Sequence, residues 1–133
     1  MAYSSTVTVT EQGAGHVVVT ITETEVAASS EATIPLGFDR GIVLKQRCKL
    51  TAGSGTTIDP VLGLSTDPAA GAYDLLVANG TAAAQIHNEV ASAGAPRGAV
   101  FYTSTGTLYH RSVPDSAADN AVITEYLIQR GWR

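Results

Sequence analysis

Cysteine, aromatic side chains, charge and long apolar runs are all scarce in this sequence. Cys48 is the only cysteine of the 133 residues, so no disulfide can form within the chain. Aromatic residues make up 6% and charged residues 15%, which is little charge for a protein built of amphipathic helices. The apolar content comes mainly from Ala, Val, Ile and Leu, accompanied by many Thr, and this composition favours half-buried β-strands.

Other absences concern location and partners. The N-terminus, MAYSSTVTVT, has neither the basic region nor the apolar run of a secretory signal, and no apolar run reaches membrane-spanning length. The net charge of −4 and the pI of about 5.2 argue against a general nucleic-acid binder. We therefore expect a soluble protein, made in a reducing cytoplasm and folded as one domain over residues 1–133.

Alternating side chains predict most of the strands. Residues 6–11 and 16–26 alternate on either side of a QGAG turn, which predicts a hairpin. The clearest strand is 41–51, where a mainly apolar set alternates with a basic set. The first set is expected in the core and consists of Ile42, Leu44, Gln46, Cys48 and Leu50, and the second consists of Val43, Lys45, Arg47 and Lys49.

The remaining segments read as short strands and turns. Pro60 predicts an edge strand or an extended loop, because proline cannot donate a ladder hydrogen bond. Asn79-Gly80 predicts a turn between two strands within 73–91, and Gly106 lies in a predicted hairpin spanning 100–111. A final strand ends near Arg130. About eight to nine short antiparallel strands predict an all-β protein, a single β-sandwich of jelly-roll-like form.

Catalytic and ligand-binding patterns are weak. His87 and Glu89 share one side of a strand but lack a third metal ligand, and His16 has no partner at metal-ligand spacing. The segment 108–116 brings a histidine, serines and an aspartate together, yet proximity in sequence does not make a catalytic triad. No GxSxG or phosphate-binding glycine motif is present. We expect no enzymatic activity, no metal and no cofactor.

Charge is unevenly distributed along the chain. Every charged residue up to Asp39 is acidic, and Arg40, Lys45, Arg47 and Lys49 then supply half of the eight basic residues. The acidic and basic stretches can be matched within a subunit or between copies of the chain, and we expect the basic residues to form an interface with another copy or with a different protein. The alternative is a solvated strand face, which is the default for surface charge.

The only tryptophan, Trp132, is one residue from the C-terminal Arg133. Chain ends usually fray, so a large aromatic side chain there is useful only if the end is docked. We expect Trp132 to be buried, in its own sandwich or at a subunit contact, with Gly131 providing the bend that turns the ring inward.

Three segments, ATIPLGFDRGIVLKQRCKLTAGSGTTIDPVLGL, GTLYHRS and VITEYLIQRGW, give the chain from residue 31 onward a resemblance to a known group. The pattern of strands, glycine turns and a terminal aromatic residue resembles the small all-β structural proteins of tailed-bacteriophage virions. Such proteins serve as capsid decoration or cement proteins, head spikes, or tail and fibre components. Many are trimers or other symmetric assemblies, and the resemblance implies no catalytic residues.

The resemblance implies a virion protein made in the cytoplasm of a host bacterium. The first expectation is a capsid decoration protein that assembles with itself, as a homotrimer, and binds the major capsid protein. The alternative is a tail fibre or tail-tip component with a receptor- or glycan-binding role. Tyr102 and Tyr109 are the candidates for stacking on a sugar, although two tyrosines of one hairpin more often face a core. Neither alternative involves nucleic acid or a membrane.

Overall fold

The computed structural model describes residues 2–26, 30–53, 57–64, 74–77, 81–82, 99–114 and 120–131. These residues contain no helix, and the prediction of an all-β protein is confirmed. The strands are β1 (Ser4–Glu11), β2 (His16–Thr24), β3 (Ala32–Pro35), β4 (Arg40–Ala52), β5 (Thr57–Gly63), β6 (Asp74–Val77), β7 (Thr81–Ala82), β8 (Ala99–Tyr102), β9 (Thr107–Pro114) and β10 (Ala121–Arg130).

The first sheet, sheet A, has the antiparallel strand order β1-β2-β10-β4-β8. The predicted hairpin of β1 and β2 is confirmed, with Ser4 opposite Thr24 and Glu11 opposite Val17. Its turn contains Gly13 at φ 69° and Gly15 at φ 80°, a region that glycine enters without steric strain. The last strand, β10, lies between β2 and β4 and is therefore paired on both sides.

The second sheet, sheet B, has the order β3-β9-β5-β6, and β7 also pairs with β5. Its pairings are antiparallel as well. Sheet B faces sheet A, so successive strands of the chain cross repeatedly from one side of the interior to the other.

The pairing between the two halves of the chain is nested. β2 pairs with β10, β3 with β9, β4 with β8 and β5 with β6. The chain is therefore one long hairpin that reverses between β5 and β6. Successive pairs lie alternately in sheet A and sheet B, so this long hairpin is wrapped around a shared interior.

The two sheets form a β-sandwich over an apolar core. Val19 and Tyr126 of sheet A pack in one cluster with Ile34 and Leu108 of sheet B, and all four side chains are fully buried. Burying an aliphatic side chain of this size contributes roughly 1.5–3 kcal/mol. A second cluster contains Cys48, whose burial is confirmed, together with Val26, Leu50, Ile58 and Val122.

The regular alternation predicted for 41–51 is interrupted. Opposite β10, Leu127 pairs with Lys45 but the next residue, Ile128, pairs with Val43, so Leu44 is an extra residue in β4. Such a β-bulge reverses the face on which the following side chains lie. Val43 is consequently buried, and Ile42 and Leu44 are only partly buried, contrary to prediction.

The prediction that Pro60 lies in an edge strand or an extended loop is wrong. β5 is an internal strand, and Pro60 lies opposite Ser112 of β9. On the other side of β5, β7 pairs with positions 57 and 58 and β6 with positions 61 to 63, so no described strand pairs with Pro60 there. Proline is tolerated because the neighbouring ladder is interrupted at its position.

The prediction of a hairpin around Asn79-Gly80 is also wrong. The flanking strands pair with β5 rather than with each other, Val77 opposite Val61 and Thr81 opposite Ile58. Because both are antiparallel to β5, they run in the same direction. Asn79-Gly80 and residues 83–91 lie outside the described residues.

The hairpin predicted over 100–111 does not form. β8 pairs with β4 in sheet A, whereas β9 pairs with β3 and β5 in sheet B. The connection between them crosses the edge of the sandwich, where the Thr103 amide donates to the Asp39 carbonyl (2.6 Å) and the Leu36 amide to the Gly106 carbonyl (3.0 Å). Alternation correctly indicated two strands but carried no information about their partners.

Candidate interaction surface and buried polar cluster

The basic residues of the predicted interface share the outer face of sheet A, the side turned away from the core. Arg40, Lys45, Arg47 and Lys49 lie along β4 and are exposed. Under strict alternation Arg40 and Lys45 would point to opposite sides, because they are five positions apart. The bulge at Leu44 returns Arg40 to the same side as the others. We call the outer side of sheet A the basic face.

Two of these basic residues have acidic partners within the chain. Arg47 pairs across the strands with Glu125 at 3.0 Å, and Arg40 approaches Asp39 at 4.0 Å. Lys45 and Lys49 form no ion pair with another described residue. Open depressions of about 270 Å³ and 280 Å³ lie beside Arg47. The two lysines are therefore available to a partner.

The exposed large apolar side chains are on the same side of the molecule. Among the described residues they are Val100 (59% exposed), Tyr102 (56%) and Ile123 (40%). Tyr102 lies opposite Arg40, and Ile123 lies opposite Lys49, so apolar and basic side chains are direct cross-strand neighbours. Exposed apolar and aromatic side chains beside arginine are typical of surfaces that bind other proteins.

Tyr102 and Tyr109 do not form one sugar-stacking platform. Tyr102 is exposed on the basic face, so its placement in the core is wrong. Tyr109 is partly buried in β9 and alternates with the buried residues Leu108 and His110. The two tyrosines therefore lie on the outer sides of opposite sheets.

The chain end is held as far as Gly131. The Gly131 amide donates to the Arg40 carbonyl (3.0 Å) and its φ is 81°, which matches the predicted bend. Trp132 lies outside the described residues, so its predicted burial stays a prediction.

A polar cluster that the sequence did not predict lies inside the sandwich. Its centre is His110 of β9, whose Nδ1 is 2.6 Å from the hydroxyl of Tyr126 and whose Nε2 is 2.7 Å from Oγ of Ser112. Nε2 is also 3.1 Å from the carboxylate of Glu23 in β2. Glu23, His110, Ser112 and Tyr126 all have no exposed surface.

Further hydrogen bonds extend this cluster at its rim. Ser112 Oγ donates to Glu23 at 2.7 Å, and the hydroxyl of Tyr3 donates to the other carboxylate oxygen at 2.6 Å. The amide nitrogen of Gln46 donates to the hydroxyl of Tyr126 at 3.2 Å. The cluster therefore links both sheets and Tyr3, the residue just before β1. In this low-dielectric interior each missing hydrogen-bond partner would lower the stability of the fold.

The geometry of the cluster differs from that of a catalytic triad. In a triad one imidazole nitrogen faces the nucleophile and the other faces the carboxylate. Here Nε2 of His110 faces both Ser112 and Glu23, and Ser112 donates to the carboxylate itself. None of these side chains reaches solvent. The cluster acts as an internal polar connection between the sheets, and Asp115, the third residue of the sequence pattern, lies outside the described residues.

Burial and hydrogen bonding have opposite effects on the pKa of Glu23. Burial alone would raise the pKa of this carboxyl group. The hydrogen bond and the charge of His110, together with the hydroxyl donors of Tyr3 and Ser112, outweigh that effect and lower the pKa below its usual value. Burial raises the pKa values of Tyr3 and Tyr126 above the usual range, so both phenols stay protonated and able to donate.

One signal in the sequence could have identified Glu23. It shares the side of β2 occupied by Val17, Val19 and Ile21, which are all buried. A lone carboxylate on an apolar strand face needs a buried partner. His110 is 87 residues away in the sequence, and only the packing of the two sheets identifies it as that partner.

The described residues contain no group of three or more metal-ligating side chains able to hold an ion. His16 is near the β1–β2 turn, with Nδ1 3.3 Å from the Ala14 carbonyl, and His87 lies outside the described residues. A search of this same part of the chain finds no helix suited to crossing a membrane.

Comparison with known proteins adds no relative. No family model, no curated protein and no solved structure matches the chain.

Proposed function

We propose that the protein is a structural component of a tailed-bacteriophage virion, a capsid decoration or cement protein that attaches to the major capsid lattice. The observation that carries the proposal is the basic face. It combines four basic side chains with all the exposed large apolar side chains of the described residues. A broad sheet surface of this composition, with only open depressions beside Arg47, suits a protein partner better than a small ligand, which needs an enclosing pocket.

The nested strand pairing supports a finer description of the fold as a jelly roll. A jelly roll is a double sheet of eight strands built from two Greek keys, and it occurs in viral capsid domains, lectins and cupins. The four nested pairs supply those eight strands, and β1 and β7 are additions. Fold alone does not define function. The jelly roll is therefore compatible with the proposed function but is not evidence for it.

Self-association is part of the proposal, as a symmetric homo-oligomer and, following the resemblance, a trimer. Glu11 of the acidic first third pairs with Arg130 (3.5 Å) rather than with the basic face. On the basic face, Arg40 and Arg47 have acidic neighbours within the chain, so Lys45 and Lys49 are the side chains that remain for contacts with another copy. Sedimentation of the purified protein tests the stoichiometry: a trimer or a multiple of three subunits is expected, and a monomer at all concentrations would contradict it.

A receptor- or glycan-binding role in a tail fibre has less support. Tyr102 is exposed beside Arg40, but Tyr109 lies on the other sheet. A single exposed tyrosine on a flat face is a poor sugar platform. This alternative predicts attachment to a few sites on the tail instead of sites throughout the head.

The test is attachment of the purified protein to particles assembled without it. Replacing Lys45, Arg47 and Lys49 together by Gln should lower occupancy strongly while leaving the melting temperature nearly unchanged, because these side chains are exposed. The triple change is needed because an exposed ion pair contributes only about 0–1 kcal/mol.

The matched control changes net charge equally at exposed positions off the basic face: Ala14→Glu, Thr33→Glu and Ser104→Glu. This variant should keep its occupancy. Equal occupancy for the two variants and the unmodified protein would contradict a role of the basic face in attachment.

A further inference from the structure

The free edge of β1 lacks the usual protection against pairing. β1 (Ser4–Glu11) ends sheet A and pairs with β2 over eight residues without a register shift. No strand of the described part of the chain pairs with its other side. Edge strands are normally short, bulged, or interrupted by proline or charge. β1 is long and regular, contains no proline, and has a single charge, at Glu11.

The sequence of this strand is complementary to itself. Residues 6–10 read Thr-Val-Thr-Val-Thr, which is the same in both directions about Thr8. We infer that β1 pairs antiparallel with β1 of a second copy of this chain, about a two-fold axis at Thr8. This register places Thr8 opposite Thr8, Thr6 opposite Thr10, and Val7 opposite Val9.

This register gives favourable side-chain contacts on both sides of the strand. Val7 and Val9 are half-buried and already pack against the core cluster, so apolar contact across the axis would cover their remaining surface and join the two cores. The exposed threonines would form Thr–Thr pairs, and favourable cross-strand pairs contribute roughly 0.2–1 kcal/mol each. Glu11 would face Ser5, so the only charge of the strand meets no like charge.

Other registers are poorer. Centring the axis on Val7 places Val9 opposite Ser5, and centring it on Val9 places Val7 opposite Glu11. A shift of one residue turns the whole side-chain pattern of one copy to the other side. The palindrome thus selects Thr8 as the centre.

The resulting assembly is a continuous sheet made of two sheets A. Residues directly opposite each other in antiparallel strands point to the same side, so both copies present their basic faces in the same direction. The contact is isologous, whereas a three-fold ring needs a heterologous one. The inference therefore stands independently of both capsid attachment and the proposed trimer.

Oxidative cross-linking of the full chain tests the contact. Thr8→Cys should become mainly a disulfide-linked dimer, because opposite residues have Cβ atoms about 4.5–5.5 Å apart. Thr22→Cys is the matched control, exposed on the same side but one strand inward. Thr22 lies opposite Thr6, two residues from the axis, so with strands about 4.8 Å apart and a rise of about 3.4 Å per residue its sulfur atoms would be separated by roughly 20 Å, too far for a disulfide. Cys48 is buried and is present in both variants.

A second variant tests the contact between the two copies without relying on disulfide geometry. Thr8→Lys puts two like charges at the axis and should weaken dimerisation about tenfold or more, since like charges directly opposite each other are destabilising. Thr22→Lys should sediment like the unmodified protein. Equal cross-linking of the two cysteine variants, or equal sedimentation of Thr8→Lys and the unmodified protein, would overturn the inference, whatever the outcome for attachment to particles.

Discussion

The residue that most affects stability in this account is Glu23. It is a fully buried carboxylate with three hydrogen-bonding partners, His110, Ser112 and Tyr3. Removing one member of a buried hydrogen-bonded cluster leaves its partners unsatisfied, which typically costs about 1–3 kcal/mol per group and more for a charged group. The cluster draws its side chains from both sheets, so it helps to define how they pack.

Replacing Glu23 by Gln should lower the free energy of unfolding by about 3 kcal/mol, because the amide keeps the shape but has only one oxygen to accept the hydrogen bonds that the two carboxylate oxygens accept. Urea unfolding at neutral pH measures the change. Glu11→Gln is the control, since Glu11 is exposed and its ion pair with Arg130 is worth about 0–1 kcal/mol. Similar losses for the two variants would show that the buried cluster is not a stabilising feature.

The lowered pKa of Glu23 also predicts a pH dependence. A carboxyl group with a lowered pKa in the folded state stabilises that state above the pKa of the unfolded chain, about 4.3 for Glu. This contribution is lost as the pH falls through the lower, folded-state pKa. Unfolding measured between pH 6 and pH 3 should show a smaller loss of stability for Glu23→Gln than for the unmodified protein. Parallel pH profiles would contradict the assignment.

At the scale of single elements, β4 shows what a strand pattern can and cannot predict. Alternation correctly placed Lys45, Arg47 and Lys49 outside and Cys48 inside. The bulge at Leu44 was not predictable, because it arises from pairing with β10 and leaves no local signal. Yet this bulge is what places Arg40 on the basic face with the other cations.

The end of β10 gives a prediction at the same scale. Deleting 131–133 removes the hydrogen bond from Gly131 to the Arg40 carbonyl, worth about 0.5–1.5 kcal/mol. It also removes Trp132, whose loss would cost about 3–5 kcal/mol if the ring is buried as we expect. The truncated protein should therefore melt at a lower temperature or fail to assemble. Deletion of Arg133 alone is the control and should change little. Identical melting and assembly of all three proteins would show that Trp132 is not docked.

At the scale of the whole molecule, the fold class followed from the sequence but the topology did not. Short alternating segments separated by Gly, Pro, Asp and Asn indicated a β-sandwich, and the β1–β2 hairpin could be predicted because a short turn fixes its register. The pairs β2–β10 and β3–β9 join distant parts of the chain, and only the packed interior selects them. For the same reason, the hydrogen bond between Glu23 and His110 could not be predicted from the sequence.

The most direct test of the central proposal is the abundance of the protein in purified virions of a tailed phage whose genome carries its gene. Quantitative mass spectrometry can compare its copy number with that of the major capsid protein in the same particles. A decoration protein that covers the lattice should be present in a number comparable to the major capsid protein, and it should remain on heads separated from tails. Its absence from the particles, or a few copies confined to the tail fraction, would contradict the account.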